Sequence, residues 1–267
     1  MSQSTPTRVR RQDVLSTWSG IRPLAADPTK QQQQEGATSS IVRDHVIFQD
    51  ADGLVTVTGG KWTTYRRMAQ DVVDTLVTSG RLPATQRPCA TSGLRLLGAR
   101  EYHAHTHAEV AQRSSDLASA PPLSGSPAPR RALSPARARH LAAAYGDKAF
   151  DVLELVKWSD GALAAPLAPG LPYIEAEVLH ACRQEYCVTV EDFVMRRTRM
   201  AFLDAAATEG AIPRVAELMA SELGWGNRKR RAEAAAAVRA LRQEFSTPEP
   251  ATKAVEAAAA AAPVAAA

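Results

Sequence analysis

No Gly-x-Gly-x-x-Gly turn occurs anywhere in this chain, although 15 glycines are spread along its 267 residues. The strand–turn–helix start that cradles a dinucleotide pyrophosphate is therefore missing from it. Cysteine is scarce. Cys89, Cys182 and Cys187 form no Cys-x-x-Cys pair, which argues against both a disulfide framework and a cysteine zinc site and fits a reducing compartment. Apolar runs of about 18 residues, the length that spans a bilayer, are absent except in the Ala-rich tail from Ala254, which is too weakly hydrophobic to insert. Charge of one sign is also lacking. The net charge is only +4 and dispersed, which argues against a dedicated nucleic-acid protein. The one dense basic run, Asn227 to Arg231, opens a helix whose Val238, Leu241 and Phe245 face a core, so it reads as a solvated face. What is present, 45% apolar residues, suffices for a substantial core in one or two domains.

The most informative stretch runs from Leu54 to Gly80. Leu54-Val55-Thr56-Val57-Thr58 alternates as a strand does. Asp50, Asp52 and Gly53 before it lack the remaining ligands of a calcium loop and read as a hairpin turn back to His45-Val46-Ile47-Phe48. From Thr64 onward Tyr65, Met68, Ala69, Val72, Val73, Leu76 and Val77 recur on one helical face, and Gly80 supplies the stop. Gly59, Gly60 and Lys61 thus sit where strand becomes helix. Glycines there let a ligand approach the backbone, and the helix N-terminus with the Lys61 charge favours an anion or a carbonyl oxygen. A P-loop is excluded, because its first glycine and its Ser/Thr are replaced by Val55 and Trp62. On the residues alone, a plain glycine turn with a surface lysine fits equally well.

Elsewhere, His103, His105 and His107 alternate and would share a face in a strand, yet no acidic or cysteine partner follows at ligand spacing, so no metal site is expected. Thr189 with Asp192 three residues later announces a helix ahead of Phe193, Val194 and Ala201. Gln31 to Gln34 and residues 111–135 are of low complexity, and the tail from Thr247 is Ala-rich.

Three segments then make a pattern: Trp18-Ser19-Gly20-Ile21-Arg22-Pro23-Leu24, Arg43-Asp44-His45-Val46, and Gly59-Gly60-Lys61-Trp62-Thr63-Thr64-Tyr65-Arg66. In order and spacing they resemble the FAD-dependent, quinone-reducing glycerol-3-phosphate dehydrogenases. The resemblance continues through Ala143 to Phe150, Glu185 to Leu203 and Met219 to Trp225, covering most of residues 14–245 with gaps. It implies that Arg22 and Lys61 lie near the reactive face of the flavin as catalytic groups. Cations there suit a phosphate-bearing substrate oxidised at a neighbouring hydroxyl. It further implies that Gly59, Gly60, Lys61, Trp62 and Thr63 meet the pyrimidine edge of FAD, where reduction places negative charge. Arg66, on an exposed helix side, is a weaker candidate for a cofactor contact. The proton acceptor for the hydroxyl stays open between Lys61 and a histidine elsewhere.

The same resemblance implies oxidation of glycerol 3-phosphate to dihydroxyacetone phosphate with ubiquinone as electron acceptor, in mitochondria, and allows peripheral inner-membrane contact and a homodimer. The expected fold class is α+β: a flavin-domain hairpin and helix (residues 1–85), a mostly helical cap domain (86–247, with the insertion at 111–135) and a disordered tail (248–267). Without a dinucleotide turn the chain reads as the C-terminal part of a longer enzyme, inactive and flavin-free alone. A non-catalytic helical interaction module is the competing reading.

Overall fold

The computed structural model describes residues 10–21, 25–26, 41–42, 44–83, 87–121 and 131–245. It divides into two compact units, Gly20–Leu96 and a helical unit formed by Met1–Ser19 with Leu97–Ala267. The Gln31 to Gln34 run and the tail from Thr247 lie outside the described residues.

In the smaller unit, β1 (Ala25–Ala26) pairs antiparallel with β2 (Ile41–Val42). Strands β3 (His45–Gln49) and β4 (Val55–Gly59) form an antiparallel hairpin whose register runs from His45 opposite Gly59 to Gln49 opposite Val55. The turn uses the residues the sequence assigned to it. Gly53 N–H donates to Asp50 O at 2.8 Å, Leu54 N–H to Asp52 Oδ1 at 3.2 Å, and Gly53 takes φ +89°. Helix α1 (Tyr65–Thr78) follows and stops at Gly80, whose φ of +73° turns the next N–H, that of Arg81, back to Leu76 O at 2.9 Å. None of its residues is fully buried. Met68, Val72, Leu76 and Val77 are half-covered, while Tyr65 and Val73 are 50% and 48% exposed.

The helical unit contains α2 (Thr106–Ser119), α3 (Pro135–Tyr145), α4 (Ala149–Trp158), α5 (Glu175–Gln184), α6 (Met200–Leu203), α7 (Ala205–Leu223) and α8 (Asn227–Phe245). The α+β expectation, a hairpin and helix followed by a helical cap, is therefore met. Its core is continuous: Val110, Leu141, Val152, Ile174, Ile212 and Leu241 are at most 1% exposed. Residues 111–119, read from sequence as the start of a low-complexity insertion, belong to α2, and Ser114 Oγ accepts a buried bond from Leu133 N–H at 2.7 Å. The basic run opens α8 with Arg228, Lys229 and Arg231 exposed, while Ala237, Leu241 and Phe245 turn inward and Val238 is partly covered. Thr189 and Asp192 exchange backbone-to-side-chain bonds at 3.0 and 3.1 Å, the expected capping box. The helix beyond is not continuous. Thr198 N–H and Oγ–H both donate to Phe193 O, closing a π-turn over Asp192–Arg197 before α6 begins.

Residues 14–18 belong to this unit by their contacts. Thr17 N–H donates to Phe245 O at 3.1 Å, Ser16 Oγ–H to Ala201 O at 2.7 Å, and Trp18 packs on Phe202 at 5.6 Å. Among the described residues no helix is long and apolar enough to cross a membrane.

The centre of the unit is polar. Glu177, 0% exposed, accepts from Ile174 N–H at 2.6 Å and from the Tyr145 hydroxyl at 3.0 Å, and its Oε1 lies 2.8 Å from His140 Nε2. It thereby caps α5 from inside while pairing α3 to it. Burial, then the neighbouring Glu177 charge, pushes the Tyr145 phenol well up. Replacing Glu177 with Ala orphans one buried and two partly buried groups and should cost about 3 kcal/mol in chemical denaturation; an unchanged midpoint would contradict this role. His180, stacked edge-on against Tyr145 at 5.1 Å, has its pKa lowered, chiefly because burial disfavours the imidazolium. The unfolded chain then binds the proton more readily, so stability falls with pH below the ordinary value of 6.5. A His180→Asn variant should lose less stability than wild type between about pH 7 and pH 5, and an equal slope would show that His180 does not set it.

Candidate functional site

The junction between β4 and α1 is built by its glycines. Gly59 and Gly60 take φ +75° and +80°, which turns the chain out of the ladder within two residues. Lys61 then returns to extended backbone, φ −132° and ψ 143°, and Trp62–Thr64 form a 3₁₀ turn leading into α1. Thr64 donates to Lys61 O through both its N–H and its hydroxyl, each at 3.0 Å. Neither Lys61 nor Thr64 supplies a side-chain cap to this helix start, and the Tyr65 N–H donates to Trp62 O within the 3₁₀ turn. Lys61 and Thr63 are exposed, and Trp62 is 89% exposed with its ring 6.1 Å from Tyr65. A Cβ on residue 60 would fall 2.7 Å from Met68 Sδ and 3.1 Å from His45 Cβ. The backbone there is packed closely against the Met68 side chain and His45.

Four polar side chains, His45 among them, lie in contact with one another beside this turn. His45 Nδ1 lies 3.0 Å from Asp44 Oδ1, its Nε2 lies 3.1 Å from Asp71 Oδ2, and Arg67 Nε sits 2.8 Å from Asp71 Oδ1. The His45 backbone N–H, then its ring, hold the Asp44 carboxyl below the usual range, and the Lys61 charge acts in the same direction. Sequence reasoning placed His45 in the hairpin without seeing this cluster. The hairpin register, His45 opposite Gly59, was the signal that could have found it.

Among the sequence-assigned residues, Gly59, Gly60, Lys61, Trp62 and Thr63 are therefore brought together at one open turn. Arg22 lies outside the described residues, as does Arg43. Arg66 bonds Gln70 Oε1 at 2.9 Å and Thr91 Oγ1 at 3.0 Å, which ties α1 to the following loop. The three alternating histidines are not in a strand. His103 and His105 occupy the turn before α2, with His103 facing Glu109 at 3.3 Å, and His107 is in the helix. Among the described residues no group of three or more His, Cys, Asp or Glu is arranged to hold a metal ion.

A protein family described as the C-terminal domain of alpha-glycerophosphate oxidase matches residues 89–230, more than half of the chain. The chain belongs to this family. Most of the match lies in the helical unit, taking in its Glu177 centre and α7 and ending in the first turn of α8. Similarity extends beyond that domain. Mitochondrial glycerol-3-phosphate dehydrogenase SDP6 of Arabidopsis thaliana is 44% identical over 226 residues, 85% of this chain and 34% of the relative. The mitochondrial glycerol-3-phosphate dehydrogenase of Mesocricetus auratus is 39% identical over 247 residues, 91% of this chain and 30% of the relative. The chain thus spans about a third of the length of these relatives, and it aligns with their C-terminal part. Among solved structures, the Bacillus halodurans glycerol-3-phosphate dehydrogenase complexed with FAD superposes with a TM-score of 0.57 at 22% identity, covering 74% of this chain and 37% of that one, which shows a shared fold.

The junction makes a direct demand on residue 60. Gly60→Ala combines a positive φ with a Cβ pressed against Met68 and His45. It should weaken the hairpin–helix contact by about 2 kcal/mol, seen as faster amide exchange in β3, β4 and α1; unchanged exchange would show that the turn tolerates a side chain.

Proposed function

We propose that this chain is the C-terminal portion of an FAD-dependent glycerol-3-phosphate dehydrogenase, acting in mitochondria. The observation that carries the reading is the open turn itself: two glycines with positive φ, an uncapped helix start and an exposed lysine in consecutive positions. The relatives named above supply the reaction. The residue types at the turn suit the pyrimidine edge of a flavin, because a helix start and an exposed cation favour negative charge while glycine lets a flat ring approach the backbone. FAD held there would supply the hydride acceptor for oxidation of glycerol 3-phosphate, with ubiquinone as the electron acceptor of the complete enzyme.

The work of this chain is electrostatic. Gly60, Trp62 and Thr63 present backbone at the helix start toward charge that develops on the ring edge. Lys61 adds a full positive charge that stabilises the substrate alkoxide or its phosphate. Arg22 is assigned the two-point contact with the phosphate, which its planar guanidinium suits. On this reading the helical unit is a cap that carries no chemistry, and peripheral contact with the inner membrane and pairing of subunits belong to the complete enzyme.

Two measurements test the proposal. The 267-residue chain purified alone should show no flavin absorbance and no glycerol-3-phosphate-dependent dye reduction, and turnover by it would overturn the assignment. A chimera in which residues 14–245 replace the matching third of the Arabidopsis thaliana relative should retain flavin and reduce dye. Lys61→Met in that chimera should lower turnover by about two to three orders of magnitude; an unchanged rate would remove Lys61 from the mechanism.

A further inference from the structure

Away from the glycine turn, the helical unit brings two free thiols together. Cys182 stands in the last turn of α5 and Cys187 lies just beyond its end. The backbone between them doubles back. Glu185 N–H and Cys187 N–H both donate to Ala181 O, at 3.0 and 3.3 Å, and Tyr186 takes φ +52°, a left-handed value that a tyrosine adopts only where its surroundings impose it. Arg197 fixes the return from outside, donating to Glu185 O at 2.6 Å and to Tyr186 O at 3.4 Å. Cys187 therefore packs against the helical turn that carries Cys182, where a helix end commonly rests an apolar side chain.

An apolar contact of that kind needs no thiols, and the two present are unequal. Cys187 is fully buried, whereas Cys182 is only half-covered. The single S–H of Cys187 has two acceptors before it, Thr189 O at 3.7 Å and the Cys182 sulfur. The bond from Cys187 is the main reason the Cys182 thiol lies below its ordinary range, with burial acting the other way. The same bond, then burial, push the Cys187 thiol far up. One sulfur is thus accessible and more readily ionised, and the other is protonated, enclosed and in contact with it.

We infer that Cys182 and Cys187 form a peroxide-oxidisable pair, Cys182 the attacking thiol and Cys187 the resolving one, closing into a reversible disulfide at the end of α5. The Cys182 thiolate attacks one oxygen of a hydroperoxide. An S–O bond forms as the O–O bond breaks, and the other oxygen takes up the Cys182 proton and leaves as water or an alcohol. The Cys187 sulfur then attacks the sulfenic sulfur of Cys182: S–S forms, S–O breaks, and hydroxide departs as water with the Cys187 proton. The two thiols give up two electrons and the hydroperoxide takes them. Closure fixes the Glu185–Tyr186 return covalently and halts Cys182 before irreversible sulfinic oxidation, while a thiol reductant reopens it. The pair belongs to the helical unit and is independent of the flavin reading.

The test is a peptide map of the full chain carrying Cys89→Ser, so that no third thiol takes part. The folded protein is treated with equimolar hydrogen peroxide, alkylated, denatured and cut with trypsin, which separates the two cysteines by cleavage after Arg183. The expected product is the peptide ending in Arg183 joined to the one beginning at Gln184, the link disappearing with dithiothreitol. Adding Cys187→Ser should leave Cys182 as a sulfenic acid that dimedone traps, and adding Cys182→Ser should leave Cys187 a free thiol. Both cysteines alkylated after peroxide, a sulfinic Cys182 beside a free Cys187, or a link that forms only in urea would overturn the inference. Should Cys187→Ser disturb the core, the map with both cysteines present and that of Cys182→Ser still decide.

Discussion

Two consecutive residues with positive φ at the end of a strand are the constraint on which the functional part of this chain depends. Side chains with a Cβ resist that conformation, and a pair of them in sequence would resist it twice. Because Gly59 and Gly60 accept it, the chain leaves the hairpin and begins a helix almost at once. Everything of chemical interest follows from that abruptness. Lys61 is delivered to a helix entry that has no side-chain cap, and Gly60 lies over Met68 and beside His45. A longer or ordinary turn would separate the lysine charge from the helix dipole, whose influence fades within a turn.

The helical unit is stabilised on a different principle. Its apolar core is continuous, yet at its centre stands a fully buried carboxylate with donors from α3 and from the backbone that opens α5. Such a centre contributes through geometry more than through net energy, because each partner is costly only when left unpaired. Close backbone approach plays a supporting part. Gly146, between α3 and α4, takes φ +61°, and a Cβ on it would collide with the Gly98 carbonyl. Most of the family match falls on this unit, while the open glycine turn falls on the smaller one.

Local features were legible in the sequence wherever local chemistry decides the structure. The Asp50–Gly53 turn, the α1 stripe, the stop at Gly80 and the Thr189–Asp192 capping box all follow from side chains acting on backbone within a few residues. What escaped depended on contacts distant in sequence. His45 meets Asp71 only because hairpin register and helix phase coincide. Glu177 looks like any surface glutamate until His140 and Tyr145 close on it from another helix. The helix announced by Thr189 was broken into a π-turn and a short α6 by Thr198, whose hydroxyl reaches back five residues. The exposure of the α1 stripe was equally invisible, since periodicity says which residues share a face and not what covers it.

The central claim is that the Gly59–Lys61 turn forms the flavin-facing wall of the site. The most direct measurement is a crystal structure of the flavin-loaded chimera with the Arabidopsis thaliana relative. The account predicts the backbone of Gly60 to Thr63 within hydrogen-bonding distance of the pyrimidine edge, with the Lys61 ammonium on the substrate side. A flavin bound with that turn facing solvent would contradict it.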